Sequence, residues 1–193
     1  ALIITVYVLN KDSLKPYMPP WTPVAPDLPA IKNILVLGFP VGATMFLETA
    51  VFTGIALLIS SLGDVAIGAH QIAFNVWDMF YIPMLAIGGA MATRMGHAIG
   101  AQDKAGVFRA LKAGMIYSGA VSAVTMIVLL SLPHVIVSVY TQSSDMSLLA
   151  VRLLSFAALF VMIDAVQIVG SFSMRAYKKT TFPFIASMVA YWL

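Results

Sequence analysis

Between Ile34 and Ser60 the chain runs for 27 residues with a single charge, Glu48. As a helix such a run is about 40 Å long, enough to cross ~30 Å of hydrocarbon with tilt to spare. Lipid offers the backbone no hydrogen-bond partner, so a crossing segment must satisfy its own N–H and C=O groups as a helix or join a closed barrel. The run is continuously apolar rather than alternating, which selects the helix. The same pattern returns at Val65–Ile99, at 107–131 and at Leu148–Met174, and Thr181–Leu193 begins a fifth segment. Composition agrees, with 61% hydrophobic and 10% charged residues against roughly 45–50% and 25% in a soluble domain. The expected fold is an all-α integral membrane protein, a polytopic helical bundle.

The breaks between these runs set the organisation. Ala1–Leu9 is apolar but too short to span, lacks an initiator Met, and reads as the end of a helix. Residues 10–33 carry six prolines, at 16, 19, 20, 23, 26 and 29, which predicts an extended linker and a boundary between residues 1–33 and 34–193. Ser61–Asp64 is a tight turn at Gly63, and Pro83 is a kink within the second span. Pro133 closes the third span, and the semi-polar LPHVIVSVYTQ after it is expected at the interface. Both ends fall inside apolar segments, so the chain is expected to be part of a larger polytopic protein.

Charge placement orients the bundle. Lys11, Lys15, Lys32, Arg94, Lys104, Arg109, Lys112, Arg175, Lys178 and Lys179 fall on one side and only Arg152 near the other, which makes the first side cytoplasmic. Basic residues gathered at helix ends fit membrane topology and not a nucleic-acid surface. With no Cys and three scattered His, neither a disulfide framework nor a His/Cys metal site is expected.

Depth singles out the acids. Counting from the cytoplasmic ends at 1.5 Å per residue, Glu48, Asp164 and Asp78 lie about 21, 16 and 24 Å deep, one layer near the midplane. A carboxylate there costs roughly 2.5–3.5 kcal/mol even on the lenient insertion scale. With no Lys or Arg in the same runs, such a group is either protonated or ionised beside a bound cation, and both states are binding events. An acid that takes up H⁺ or Na⁺ when sealed and releases it when open suits coupling of an ion gradient to a conformational change. Cationic compounds could use the same charge beside aromatic walls, for which Phe46, Trp77, Phe80, Tyr81 and Phe160 are candidates, though each also fits ordinary packing. Gly88, Ala92, Gly96 and Gly100, and Ala110, Gly114, Ser118 and Ser122, form small-residue stripes for close helix contact. Enzyme readings fail on the residues: the YD and GxGD settings of intramembrane aspartyl proteolysis, a Schiff-base Lys within a span, HExxH, GxSxG and P-loop patterns are all missing.

The stretch LGFPVGATMFLETAVFTGIALLISSLGDVAIGAHQIAFN, followed by IPMLAIGGAMATRMGHAIG, resembles the seventh and eighth helices of multidrug and toxic compound extrusion (MATE) transporters of the NorM-like branch. IDAVQIVGSFSMRAYKKT resembles the tenth helix and the cytoplasmic turn after it. The pieces occur in family order along nearly the whole chain. The resemblance implies a truncated part of a twelve-helix, two-lobe antiporter of a bacterial inner membrane: the end of helix six, the interlobe loop, helices seven to ten and the start of eleven, with the first lobe as missing partner. It implies Na⁺- or H⁺-driven export of bulky, often cationic or amphipathic drugs, without a cofactor. Glu48 and Asp164 match the acids of the seventh and tenth helices tied to cation coupling, Na⁺ included, and to drug binding. Gln71, in the AHQ element, is a possible cavity residue, as are Asp78, Phe46 and Phe160. Asp78 stands where relatives carry a small or hydroxyl residue, and Phe160 where some have Tyr. In MRAYKK, Ala176 and Lys179 replace a glycine and an acid of the usual RGYKD pattern, which is expected to affect the turn. Two other transport readings stay open, a lipid-linked precursor flippase of related architecture, disfavoured by the absence of midspan Lys or Arg, and a passive cation channel.

Overall fold

The computed structural model describes residues 26–192. Its elements are α1 (Leu28–Ser60), α2 (Asp64–Gly100), α3 (Lys104–Ser131), α4 (Pro133–Ser138), α5 (Ser144–Ala176) and α6 (Thr181–Trp192), with no strand among the described residues. α1, α2, α3 and α5 are long and apolar enough to cross a membrane. The chain divides into Ala1–Ile34 and Leu35–Leu193. Of the first unit only the opening turns of α1 are described; the second holds everything that follows. The helix expected at Ala1–Leu9 and the prolines at 16, 19, 20 and 23 lie outside the described residues, as does Leu193.

The linker expected over residues 10–33 gives way to helix six residues early, at Leu28. Pro29 falls in the first turn of α1, where N–H groups have no intrahelical acceptor and a missing one costs nothing. Asp27 starts the helix: its carboxylate accepts from the Ala30 N–H at 3.2 Å and its carbonyl from the Ile31 N–H at 2.9 Å. The turn after α1 does pivot on Gly63, whose φ of 100° suits glycine. LPHVIVSVYTQ contains a short helix, α4, opened by Pro133 and anchored by the fully buried Val137.

The core is a three-helix unit in which α2, α3 and α5 pack on one another. Apolar and small residues recur at helical spacing along α2 (Ala69, Ile72, Val76, Met84, Gly88, Met91, Met95) and α5 (Ala150, Leu154, Ala158, Val161, Ala165, Ile168). Glycine permits the closest approaches: a Cβ on Gly88 would stand 2.8 Å from Phe172 and 2.9 Å from Ile168, and one on Gly114 would strike Met91. With Gly68 against Met146 and Gly106 against Ala98, these contacts run α2 parallel to α5 and antiparallel to α3. On the side that the charge distribution marks as cytoplasmic, α2 and α5 end alike. Asp103 N–H bonds the Ala98 carbonyl and Gln102 N–H that of Ile99; Lys179 N–H bonds that of Met174 and Lys178 N–H that of Arg175. This is the Schellman closure, with Gln102 (φ 56°) and Lys178 (φ 57°) in the left-handed position usually given to glycine. α1 stands apart, with Thr44 its one buried residue. Pro40 in α1 leaves the Val36 carbonyl without its helical donor, and the Thr44 hydroxyl donates to the Pro40 carbonyl at 2.8 Å.

Candidate functional site

An aromatic bracket holds α1 to α2. Phe52 meets Phe74 at 5.3 Å and Trp77 at 6.0 Å between ring centroids, and Trp77 stacks on Tyr81 at 4.5 Å. Because α1 and α2 are antiparallel, one turn toward the cytoplasm from Phe52 is Glu48 and one turn from Trp77 is Tyr81. The two are level. On the other side, Gly88 against Ile168 and Phe172 fixes the register of α2 on α5, and counting back seven residues brings Tyr81 level with residues 161–165, Asp164 among them. Three helices thus bring Glu48, Tyr81 and Asp164 to one height.

The electrostatics follow that register. The Tyr81 phenol lies in the fields of Glu48, Asp164, Arg175 and the Tyr191 phenol of α6. Tyr191 in turn feels Glu48 and Asp164 and lies beside Gln167. The Trp77 indole lies beside the Asp164 carboxylate. Both acids are half-buried. Arg175 lies toward the cytoplasmic end of α5, its guanidinium 4.8 Å from the Phe172 ring centre and its charge felt by Glu48. The result is a pair of acids around two phenols, with an indole on one side and a single cation toward the cytoplasm.

Two of the three expected acids, Glu48 and Asp164, therefore face the same two phenols, Tyr81 and Tyr191. Asp78, one residue beyond Trp77, is exposed on a different face of α2, in line with the exposed Gln71 and Asn75. Asn75 spends its amide on the Gln71 carbonyl at 2.8 Å. Phe46, two residues from Glu48 and so on nearly the opposite side of α1, is 72% exposed. Phe160 is one turn from Asp164 and packs on Phe156 at 5.2 Å. Of the aromatic wall candidates, Trp77 and Tyr81 stand beside the acids. Tyr191, Gln167 and Arg175 were not anticipated in the site. Arg175 counted only toward topology, and Tyr191 lies in the short last segment; the i, i+3 spacing of Asp164 and Gln167 was the one signal that pointed to a polar face on α5.

A cleft of ≈740 Å³ lies away from these acids, between the cytoplasmic halves of α2 and α3. A groove of ≈360 Å³ between α3 and α5 is lined by Ser118 and Ser122 and includes Ala165 but neither acid.

The family model MatE matches residues 40–193, across α1 to α6 and both acids. The chain belongs to the MatE family. This MatE chain is 36% identical over 168 residues to multidrug resistance protein NorM of Photobacterium profundum, covering 87% of the chain and 37% of the relative. It is 33% identical over 196 residues to multidrug resistance protein MdtK of Proteus mirabilis, covering 100% and 42%. With probable multidrug resistance protein NorM of Xanthomonas campestris it shares 37% over 163 residues, covering 84% and 36%. It thus spans about two fifths of the length of the curated relatives it matches. These bacterial relatives and its four crossing-length helices make the MatE chain a multi-pass inner-membrane protein.

Proposed function

We propose that this chain is the greater part of the second lobe of a twelve-helix, two-lobe multidrug efflux antiporter, not an enzyme, and that Glu48 and Asp164 couple export of bulky, often cationic compounds to entry of H⁺ or Na⁺. The observation that carries this reading is that Glu48 and Asp164, on antiparallel helices, both act on Tyr81 and Tyr191. Two carboxylates and two phenols form an oxygen-rich layer able to hold either a proton or Na⁺, and the neighbouring Trp77 ring offers a π face to an organic cation. Membership of the MatE family and the names of the relatives support drug export.

The exchange runs on charge. With both acids ionised, the layer attracts a cationic drug entering from the cytoplasm. Uptake of H⁺ or Na⁺ from the outer side neutralises the acids, weakens their hold on the drug and favours its outward release. Loss of the cation inward restores the charge. Ion and drug thus compete for one pair of carboxylates, and each shifts the conformational equilibrium only by its differential affinity for the two states.

Proteoliposomes holding the full-length protein and a fluorescent organic cation test this. Export is expected under either an inward Na⁺ gradient alone or an inward H⁺ gradient alone, and whichever gradient drives it names the ion. Equal drug movement with no gradient would mark a passive channel and overturn the reading.

A further inference from the structure

The cleft between α2 and α3 belongs to no step of the exchange described above. It opens at the cytoplasmic ends of the two helices and is amphipathic along its length. At the mouth stand Arg94 of α2 and Arg109 of α3; the deeper wall is made of Ile87, Met91, Ala113 and Tyr117. Ile87 and Tyr117 are each 13 residues from the cytoplasmic end of their helix, so the apolar wall reaches about 20 Å inward. The cationic part therefore sits at headgroup level and the apolar part in the acyl-chain region.

The mouth is built rather than incidental. Asp103 accepts from the Gly106 N–H at 2.8 Å, capping α3, and from Arg109 Nη2 at 3.2 Å, which holds that guanidinium at the cleft. Arg109 remains 73% exposed. Arg94 also faces the cleft, from about 9 Å inside the end of α2. Positive-inside topology accounts for basic residues on this side of the membrane; it does not account for two of them crowning a slot that continues into hydrocarbon. A soluble phosphate would need only the mouth. Basic pockets between transmembrane helices on the cytoplasmic side are the setting in which anionic lipid headgroups are held.

We infer that this cleft is a binding site for an anionic phospholipid of the cytoplasmic leaflet, its phosphate between Arg94 and Arg109 and an acyl chain along Ile87, Met91, Ala113 and Tyr117. Bound there, the lipid bridges α2 and α3 at the end where residues 101–103 join them.

Phosphatidylglycerol and phosphatidylcholine with the same acyl chains, offered in equal amounts to the full-length protein in detergent, test the site by native mass spectrometry. Wild-type protein is expected to retain phosphatidylglycerol over phosphatidylcholine by about tenfold. In the double variant Arg94→Gln/Arg109→Gln the two lipids should be retained equally. Lys178→Gln/Lys179→Gln removes two cytoplasmic charges outside the cleft and should keep the preference. Ala113→Trp fills the slot while leaving both guanidiniums, and should cut retention of phosphatidylglycerol; it decides the matter should the arginine variant fail to fold. Equal retention by wild type, equal loss in the lysine and arginine variants, undiminished retention in Ala113→Trp, or displacement of phosphatidylglycerol by inorganic phosphate would each overturn the inference.

Discussion

An acid at bilayer depth is costly, and replacing it by its amide isostere removes the charge while keeping the shape. Glu48→Gln and Asp164→Asn are therefore expected to leave the full-length protein inserted and at least as resistant to heating as wild type, while ion-driven efflux in proteoliposomes is lost. Wild-type efflux in both variants would remove these residues from the coupling mechanism. Neither effect is expected of Asp78→Asn, since Asp78 lies on the exposed face of α2 away from both phenols. The sequence marks Glu48 and Asp164 by charge and depth alone. It could not separate Asp78 from them, because which face of α2 meets α1 and α5 is decided by packing between helices distant in sequence. Arg175 shows the same limit from the other side: a charge that topology explains turns out to lie half-buried against Phe172 and within the field of Glu48.

The helices were legible because an apolar run of crossing length has one solution for its backbone. Their ends were less so. Pro29 looks like a breaker in sequence and is harmless in a first turn, which moved the start of α1 to Leu28. Contacts between elements depend on glycine at a few positions. Gly88→Leu would drive a side chain into Ile168 and Phe172 and is expected to destabilise the α2–α5 contact by about 1–3 kcal/mol, read as a lower midpoint in a thermal unfolding assay. Gly96→Ala, on the same stripe but with open space around its Cβ, should leave the midpoint unchanged or raise it. At the end of α5, Lys178 adopts φ 57°; Lys178→Gly relieves a left-handed non-glycine residue and should add about 1 kcal/mol. The MRAYKK turn thus forms the usual closure despite Ala176 and Lys179, with Lys178, which the RGYKD pattern shares, in the left-handed position.

For the whole molecule, topology and packing make separate statements. The charge count orients the bundle, and the absence of Cys from the sequence makes that orientation easy to test. Single-cysteine variants Leu62→Cys, in the α1–α2 turn, and Gln102→Cys, in the α2–α3 turn, should react with a membrane-impermeant maleimide from opposite sides: Leu62→Cys in intact cells, Gln102→Cys only in inverted vesicles. Labelling of both from one side would overturn the antiparallel crossing of α2. Crossing number and direction were readable from runs and charges; the three-helix core of α2, α3 and α5, with α1 held mainly by its aromatic bracket, was not, since nothing in the order of the helices says which of them touch.

The stacked Trp77 and Tyr81 rings, 4.5 Å apart between the two acids' helices, also make the layer visible to light. Excitation absorbed by Tyr81 passes to Trp77 at that separation, and a rigid, asymmetric ring pair gives a near-ultraviolet circular dichroism band that a loose one does not. Whatever binds beside Asp164, or draws Phe52 away from Trp77, will alter that band and the indole emission. The protein carries its own optical gauge at the height where its charge resides.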